Sequence, residues 1–259
     1  MTAVFVNGNP ETSAIWDSLL GELERRDTLR LSPPGFGAPI PDGFPCTGSA
    51  YRDWLIEALE ALGQPVDLVG HDVGGSTTLR VAMARPDLLR SWVSDSLGTY
   101  DPEYVWHDLA RGWQSPETGE TAVAERLGGP VEERVDRLIG LGIPRPIADQ
   151  IAPAQGPEMG RAILGYYRAA AQPAMAELGK NLPAAAARPG LAIVGTADRL
   201  VGSEEMRVRS ATRAGARVAR FEGVGHWWMV QDPGLAAATL TSFWRPEHDQ
   251  PVSALPTRT

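Results

Sequence analysis

Short apolar or β-branched runs recur along the chain, most of them followed by a stretch of helical periodicity, which is the signature of a parallel sheet with helical crossovers. Residues 3–6, 28–31, 66–69, 91–94, 191–194 and 217–221 read as strands. Residues 14–25, 51–62, 76–84, 204–212 and 234–243 read as helices, the first with Trp16, Leu19, Leu20 and Leu23 on one side. The rhythm breaks near Gly98, and from about Tyr100 to Arg188 the pattern is helical throughout. Gly128-Gly129-Pro130, residues 142–146 and residues 152–157 interrupt it. The expected organisation is an α/β core over 1–99 and 189–246, a helical cap over 100–188 and a flexible tail over 247–259, where Pro, Ser and Thr follow no period.

Composition narrows the function classes. The 259 residues are 43% hydrophobic and 22% charged, near the globular norm. A formal net charge of −8 argues against nucleic acid as a partner, because phosphate binding needs a basic face. No apolar run approaches the roughly 20 residues that span a bilayer, and the first residues lack the basic start of a signal peptide, so no membrane partner and a cytoplasmic location are expected. The lone Cys46 excludes an internal disulfide, and the four histidines show no ligand spacing, so no metal and no cofactor are expected. Oligomeric state is not legible.

The string Gly70-His71-Asp72-Val73-Gly74-Gly75 sits between a strand and a helix. That is the setting of a nucleophile elbow, where the central residue takes a strained conformation and its flanks must be small because strand and helix pass closely. The plainer reading of Asp72 is a helix-capping aspartate. Two later segments bear on the choice. Gly223-Val224-Gly225-His226-Trp227 puts a histidine in a Gly-rich loop after the last strand, and Gly195-Thr196-Ala197-Asp198 ends the strand before it with an acid. Nucleophile, acid, histidine is a chain order in which Asp198 would orient His226. Asp95, at the end of the strand after the elbow helix, is the alternative acid. His71 is expected to support the turn, whereas His107 and His248 have no comparable context.

These segments resemble the epoxide hydrolase and haloalkane dehalogenase branch of the α/β-hydrolases, which attacks with an aspartate. Gly70-His71-Asp72 is similar to its elbow, Gly225-His226-Trp227 to its histidine loop, and Gly8-Asn9-Pro10-Glu11-Thr12-Ser13 with Trp16 to its oxyanion segment. The resemblance implies an α/β-hydrolase fold, with a mostly parallel sheet, flanking helices and an inserted helical cap. The sequence departs from the family at Asn7, where a histidine is usual, and at Val73, where dehalogenases often carry a halide-binding tryptophan. It also begins about two strands later than relatives do, so a sheet trimmed at one edge is expected.

The chemistry so implied is attack by Asp72 on an electrophilic carbon, giving an alkyl ester that a His226-activated water cleaves. Backbone N–H groups of Asn9 and Val73 would hold the oxyanion. Gly165-Tyr166-Tyr167-Arg168 resembles the tyrosine segment of epoxide hydrolase caps, whose hydroxyls protonate the opened epoxide; the alternative is that these rings only pack the cap. Halide release would instead use the Asn9 side chain and a tryptophan such as Trp106 or Trp113, and Trp227 would line the substrate site beside His226. The expected substrate is a small neutral or weakly polar organic molecule and the favoured reaction epoxide hydrolysis, with dehalogenation as the alternative. Fluoroacetate-type dehalogenation lacks its arginine after the nucleophile, and no Gly-x-Ser-x-Gly is present for serine-esterase chemistry. A non-catalytic binder on the same fold stays open.

Overall fold

The computed structural model describes residues 2–245, so the tail expected over 247–259, with His248, lies outside the described residues. Strands β1 (Ala3–Val6), β2 (Thr28–Leu31), β3 (Val66–Gly70), β4 (Leu89–Ser94), β5 (Gly190–Gly195) and β6 (Ala216–Phe221) form a sheet in the order β2-β1-β3-β4-β5-β6. All the pairings are parallel. Alternate residues serve opposite faces. Val4, Val6, Leu68 and Trp92 enter one apolar cluster, while Ala3, Phe5, Val69 and Val93 enter another. A parallel sheet covered on both faces explains why its strands read as continuous apolar runs rather than as alternating ones.

Helices α1 (Asp17–Glu22), α2 (Gly48–Glu60) and α3 (Val73–Ala84) connect the first four strands. Six more lie between β4 and β5, namely α4 (Asp108–Gln114), α5 (Gly119–Leu127), α6 (Val131–Gly140), α7 (Arg145–Ile151), α8 (Pro157–Ala169) and α9 (Ala174–Gly179). The connections resume with α10 (Glu204–Arg213), then α11 (Trp228–Gln231) and α12 (Pro233–Phe243). Side-chain caps fix several starts, with Thr47 accepting from the Ala50 N–H, Ser203 from Met206 and Asp232 from Leu235. Among the described residues no helix is long and apolar enough to cross a membrane.

One element departs from its sequence pattern. The helix expected over 14–25 is a 3-10 turn, Ser13–Trp16, followed by the short α1, and Leu23 already has extended backbone. Tertiary contacts override the periodicity here. Arg25 bonds Asp67 at the start of β3 at 2.8 Å and lies over the Trp244 ring, so the chain leaves the helix to reach them.

The topology also sets the place of the site. The chain runs from β1 to β2 on one side, then crosses back to β3 on the other. Such a reversal of strand order opens a crevice beyond the carboxyl ends of the two central strands. Asn7-Gly8-Asn9 leave β1 there, and His71-Asp72 leave β3.

Candidate active site

Asp72 joins β3 to α3 with φ 52° and ψ −118°, a strained conformation for a residue with a side chain. It makes no capping hydrogen bond to α3, which removes the plain reading of a capping aspartate. Space is the reason for the surrounding glycines. A Cβ on Gly70 would stand 2.3 Å from the Gly74 carbonyl oxygen, and one on Gly74 would stand 2.2 Å from that of Val6. The Asp72 carboxylate is thereby held toward the loop after β1, and its Oδ1 accepts from the Asn9 backbone N–H at 2.8 Å.

Its second oxygen, Oδ2, lies 3.7 Å from Nε2 of His226. Nδ1 of His226 bonds Oδ2 of Asp198 at 2.9 Å, and the Leu200 N–H holds the other Asp198 oxygen at 2.7 Å. The two loops that carry this pair are tied together, since the Thr196 and Ala197 N–H groups donate to the carbonyls of Phe221 and Val224. Burial alone would lower the His226 pKa, but the adjoining Asp198 and Asp72 outweigh it and hold the imidazole well above its usual range. Burial would likewise raise Asp72, yet its hydrogen bond and charge contact with His226, together with His71 and the Asn9 N–H, keep its carboxyl below the ordinary value. Both shifts favour the charged forms, carboxylate beside imidazolium.

Asp95 is bonded elsewhere. Its Oδ2 meets Nδ1 of His71 at 2.5 Å and accepts from Trp228 Nε1 at 2.7 Å, while its Oδ1 accepts from the Asp72 backbone N–H at 3.0 Å. His71 in turn bonds Glu11 through Nε2 at 2.9 Å, and Glu11 also accepts from Trp227 Nε1 at 2.5 Å. Beneath the elbow there is therefore a buried line of Trp227, Glu11, His71 and Asp95 that ends on the backbone of Asp72.

Asp72, His226, Asn9, Val73, Tyr166, Tyr167, Trp106, Trp113 and Trp227 all line one cavity of about 110 Å³. That is on the order of the roughly 150 Å³ void that holds a benzene. Tyr167 OH accepts from the Asn9 side-chain amide at 3.3 Å, which leaves its own proton free for a ligand. Burial, then the Asp72 charge, push its pKa well above the phenol range, so it stays protonated. Burial also raises Tyr166, which has Ser76 beside it. Trp106 donates its indole N–H to the Ala170 carbonyl at 3.0 Å and is not available to a ligand, whereas the buried Trp113 indole N–H has no acceptor among the described residues. Asn7 does not line the cavity. It donates to the Phe36 carbonyl at 3.0 Å and so holds the turn after β2. Among the described residues, no group of three or more His, Cys, Asp or Glu is placed to hold a metal ion.

The sequence model of the alpha/beta hydrolase family matches residues 3–239. This chain belongs to the alpha/beta hydrolase family. Solved structures similar to this alpha/beta hydrolase include an enol-lactonase from Burkholderia xenovorans LB400, with 19% identity over 93% of this chain and 90% of that one and a TM-score of 0.71. An E-2-(acetamidomethylene)succinate hydrolase matches at 18% identity, the same two coverages and a TM-score of 0.70. A haloalkane dehalogenase loop variant from Bradyrhizobium elkanii matches at 18% identity over 96% and 91%, with a TM-score of 0.69. At these identities the likeness is one of fold. No curated protein sequence matches.

The alpha/beta hydrolase site contains residues to which the sequence assigned no role. Glu11 lies inside the oxyanion string but gave no sign that it would reach His71. His107 and Arg126 line the cavity from the helical segment between β4 and β5, and nothing local in sequence marks a residue that only helix packing brings to a cavity.

Proposed function

We propose that this protein is a hydrolase that attacks its substrate through Asp72, most concretely an epoxide hydrolase giving a vicinal diol. The observation that carries the reading is the division of labour between the two Asp72 oxygens. Oδ1 rests on the Asn9 N–H, the position of a future ester carbonyl whose oxyanion needs donors, and Oδ2 remains for attack beside His226. The Val73 N–H, at the first position of α3, is the second donor. Attack by Oδ2 opens the epoxide C–O bond, and the alkoxide takes the Tyr167 proton. Ester formation removes the negative charge of Asp72, one of the two that hold the proton on His226. The imidazole then gives up that proton, which restores the Tyr167 hydroxyl, takes one from the water that attacks the ester carbonyl, and passes it to the alcohol oxygen that leaves as the Asp72 carboxylate re-forms. Asp198 keeps the ring oriented throughout.

A haloalkane dehalogenase is the second reading, favoured by the unpartnered Trp113 indole N–H and the Asn9 amide in the same cavity. The deciding experiment is the intact mass of His226→Ala after incubation with styrene oxide and, separately, with a bromoalkane. Epoxide hydrolysis predicts a stable adduct on the Asp72 peptide from styrene oxide. An adduct from the bromoalkane alone selects dehalogenation. A folded sample that gains no mass across a broad panel of neutral and carboxylate-bearing epoxides and haloalkanes leaves the non-catalytic binder as the better account.

A further inference from the structure

The cavity over Asp72 has two kinds of wall. The loops after β1, β3, β4 and β6 supply Asn9, Asp72, Ser96 and His226, and the helical segment between β4 and β5 supplies most of the remainder. That second wall is largely apolar, but it includes Arg126 near the end of α5. Arg126 is half buried and has neither an ion-pair nor a hydrogen-bond partner among the described residues. Among the described residues Asp72 is the one carboxylate lining the cavity, and it is matched by His226. The charged group that acts on Arg126 is a like one, Arg137, whose own guanidinium is bonded to the Gly128 carbonyl and faces Glu133 at 3.8 Å.

A guanidinium cannot escape this situation by losing its proton, because its pKa lies above about 12. Burial first, and Arg137 second, disfavour its charge, and nothing among the described residues offsets them. Two further donors on the same wall are also untaken. One is the buried indole N–H of Trp113. The other belongs to His107, whose Nδ1 accepts from the Ala110 N–H at 3.3 Å, so that the ring proton lies on Nε2. Burial lowers the pKa of His107 and keeps it neutral. The wall thus offers one unmatched cation and two neutral donors that no group among the described residues takes up.

We propose that Arg126 recognises a carboxylate on the substrate, so that the cavity takes a small apolar body with one anionic end rather than a wholly neutral molecule. The planar fork of a guanidinium matches a carboxylate with two parallel hydrogen bonds. Trp113 and His107 are the neighbouring donors for the same group or for the atoms next to it. The inference names the substrate class for the Asp72 site proposed above and rests on that reading only in sharing its cavity, so binding can test it without turnover.

The experiment is isothermal titration of benzoate and of benzamide, its neutral counterpart, into the wild type, Arg126→Met and Arg126→Lys, with circular dichroism to check folding. The expected result is that the wild type binds benzoate at least about tenfold more tightly than benzamide, that Met abolishes this preference, and that Lys restores part of it. Raising the salt concentration should weaken benzoate binding to the wild type and leave benzamide unchanged. Equal binding of the two ligands by the wild type, no binding of either at millimolar concentration, or an undiminished preference in Arg126→Met would overturn the proposal. None of these outcomes bears on ester formation at Asp72, which the mass experiment reads separately.

Discussion

His71 has a carboxylate on each ring nitrogen and no exposure to solvent, and its ring centroid lies 4.6 Å from that of His226. Burial alone would discharge it, but Glu11 and Asp95 outweigh burial and push its pKa up to about 10. Asp95 shows the reciprocal effect, held well below the carboxylate range despite its burial, chiefly by His71. The signs follow from linkage. His71, raised above an unfolded value of about 6.5, contributes stability fully present below that pH and lost as pH rises toward 10. Asp95, depressed, contributes stability present above about pH 3.9 and lost only as the solution becomes strongly acidic. His71→Gln leaves two buried carboxylates facing each other, and breaking such a pair costs about 3–5 kcal/mol. Urea unfolding near pH 6 should show that loss, and the gap between variant and wild type should narrow steadily toward pH 10. A gap that does not change with pH would mean that His71 acts as a neutral spacer. At the reaction centre, the bond that the Asn9 amide donates to its hydroxyl separates Tyr167 from its neighbour. Tyr167→Phe should slow ester formation from styrene oxide by about a hundredfold or more, with Tyr166→Phe much milder, in single-turnover mass kinetics. Equal effects of the two would point to a shared proton donor.

Among the elements, the junction of β3 with α3 was the most legible, because it is written in adjacent residues. Gly70 and Gly74 flank Asp72 in sequence and touch across the strand–helix crossing in space. Their requirement is local and steric. Gly74→Ala should cost at least ~1–3 kcal/mol through overpacking, and should also displace the Val6 and Asn7 carbonyls that a Cβ would meet at 2.2 and 2.6 Å. Since Asn9 lies only two residues beyond Asn7, ester formation should slow along with the loss of stability. Gly21, inside α1 with nothing within 4 Å of its would-be Cβ, is the control, and Gly21→Ala should stabilise by ~0.5–1 kcal/mol in the same denaturation series. A Gly74→Ala variant as active and stable as the wild type would contradict the account of the elbow. The end of α1 was not legible, since Leu19, Leu20 and Leu23 keep a helical period that only the distant Asp67 and Trp244 overrule. The same limit hid Arg126 and His107. No motif marks them in the sequence, and their place at the cavity depends on how α4, α5 and α8 pack.

At the scale of the molecule, the break near Gly98 and the return of strands after Arg188 divide the sequence into a core and an inserted cap, and apolar packing ties the two together. One apolar cluster joins Val4 and Leu68 of the sheet to Val123, Met159, Ile163 and Tyr167 of the intervening helices. The other joins Phe5 and Val69 to Leu138, Ile143 and Ile147. Each apolar cluster therefore runs on from the sheet into the helical segment, and fully burying a side chain of this size is worth about 1.5–3 kcal/mol. Separating the segment would expose several such side chains on both partners, more than the roughly 5–15 kcal/mol by which a native protein is stable would readily tolerate. We expect one cooperative unit. Pulsed hydrogen exchange with mass detection in graded urea should give only two envelopes, native and unfolded, with peptides of 100–188 and of the strands losing protection at the same midpoint. A third envelope, protected in the strands but open over 100–188, would establish the helical segment as a separate unit. It would also imply that the cavity opens by releasing the wall that carries Arg126 while the elbow at Asp72 remains folded.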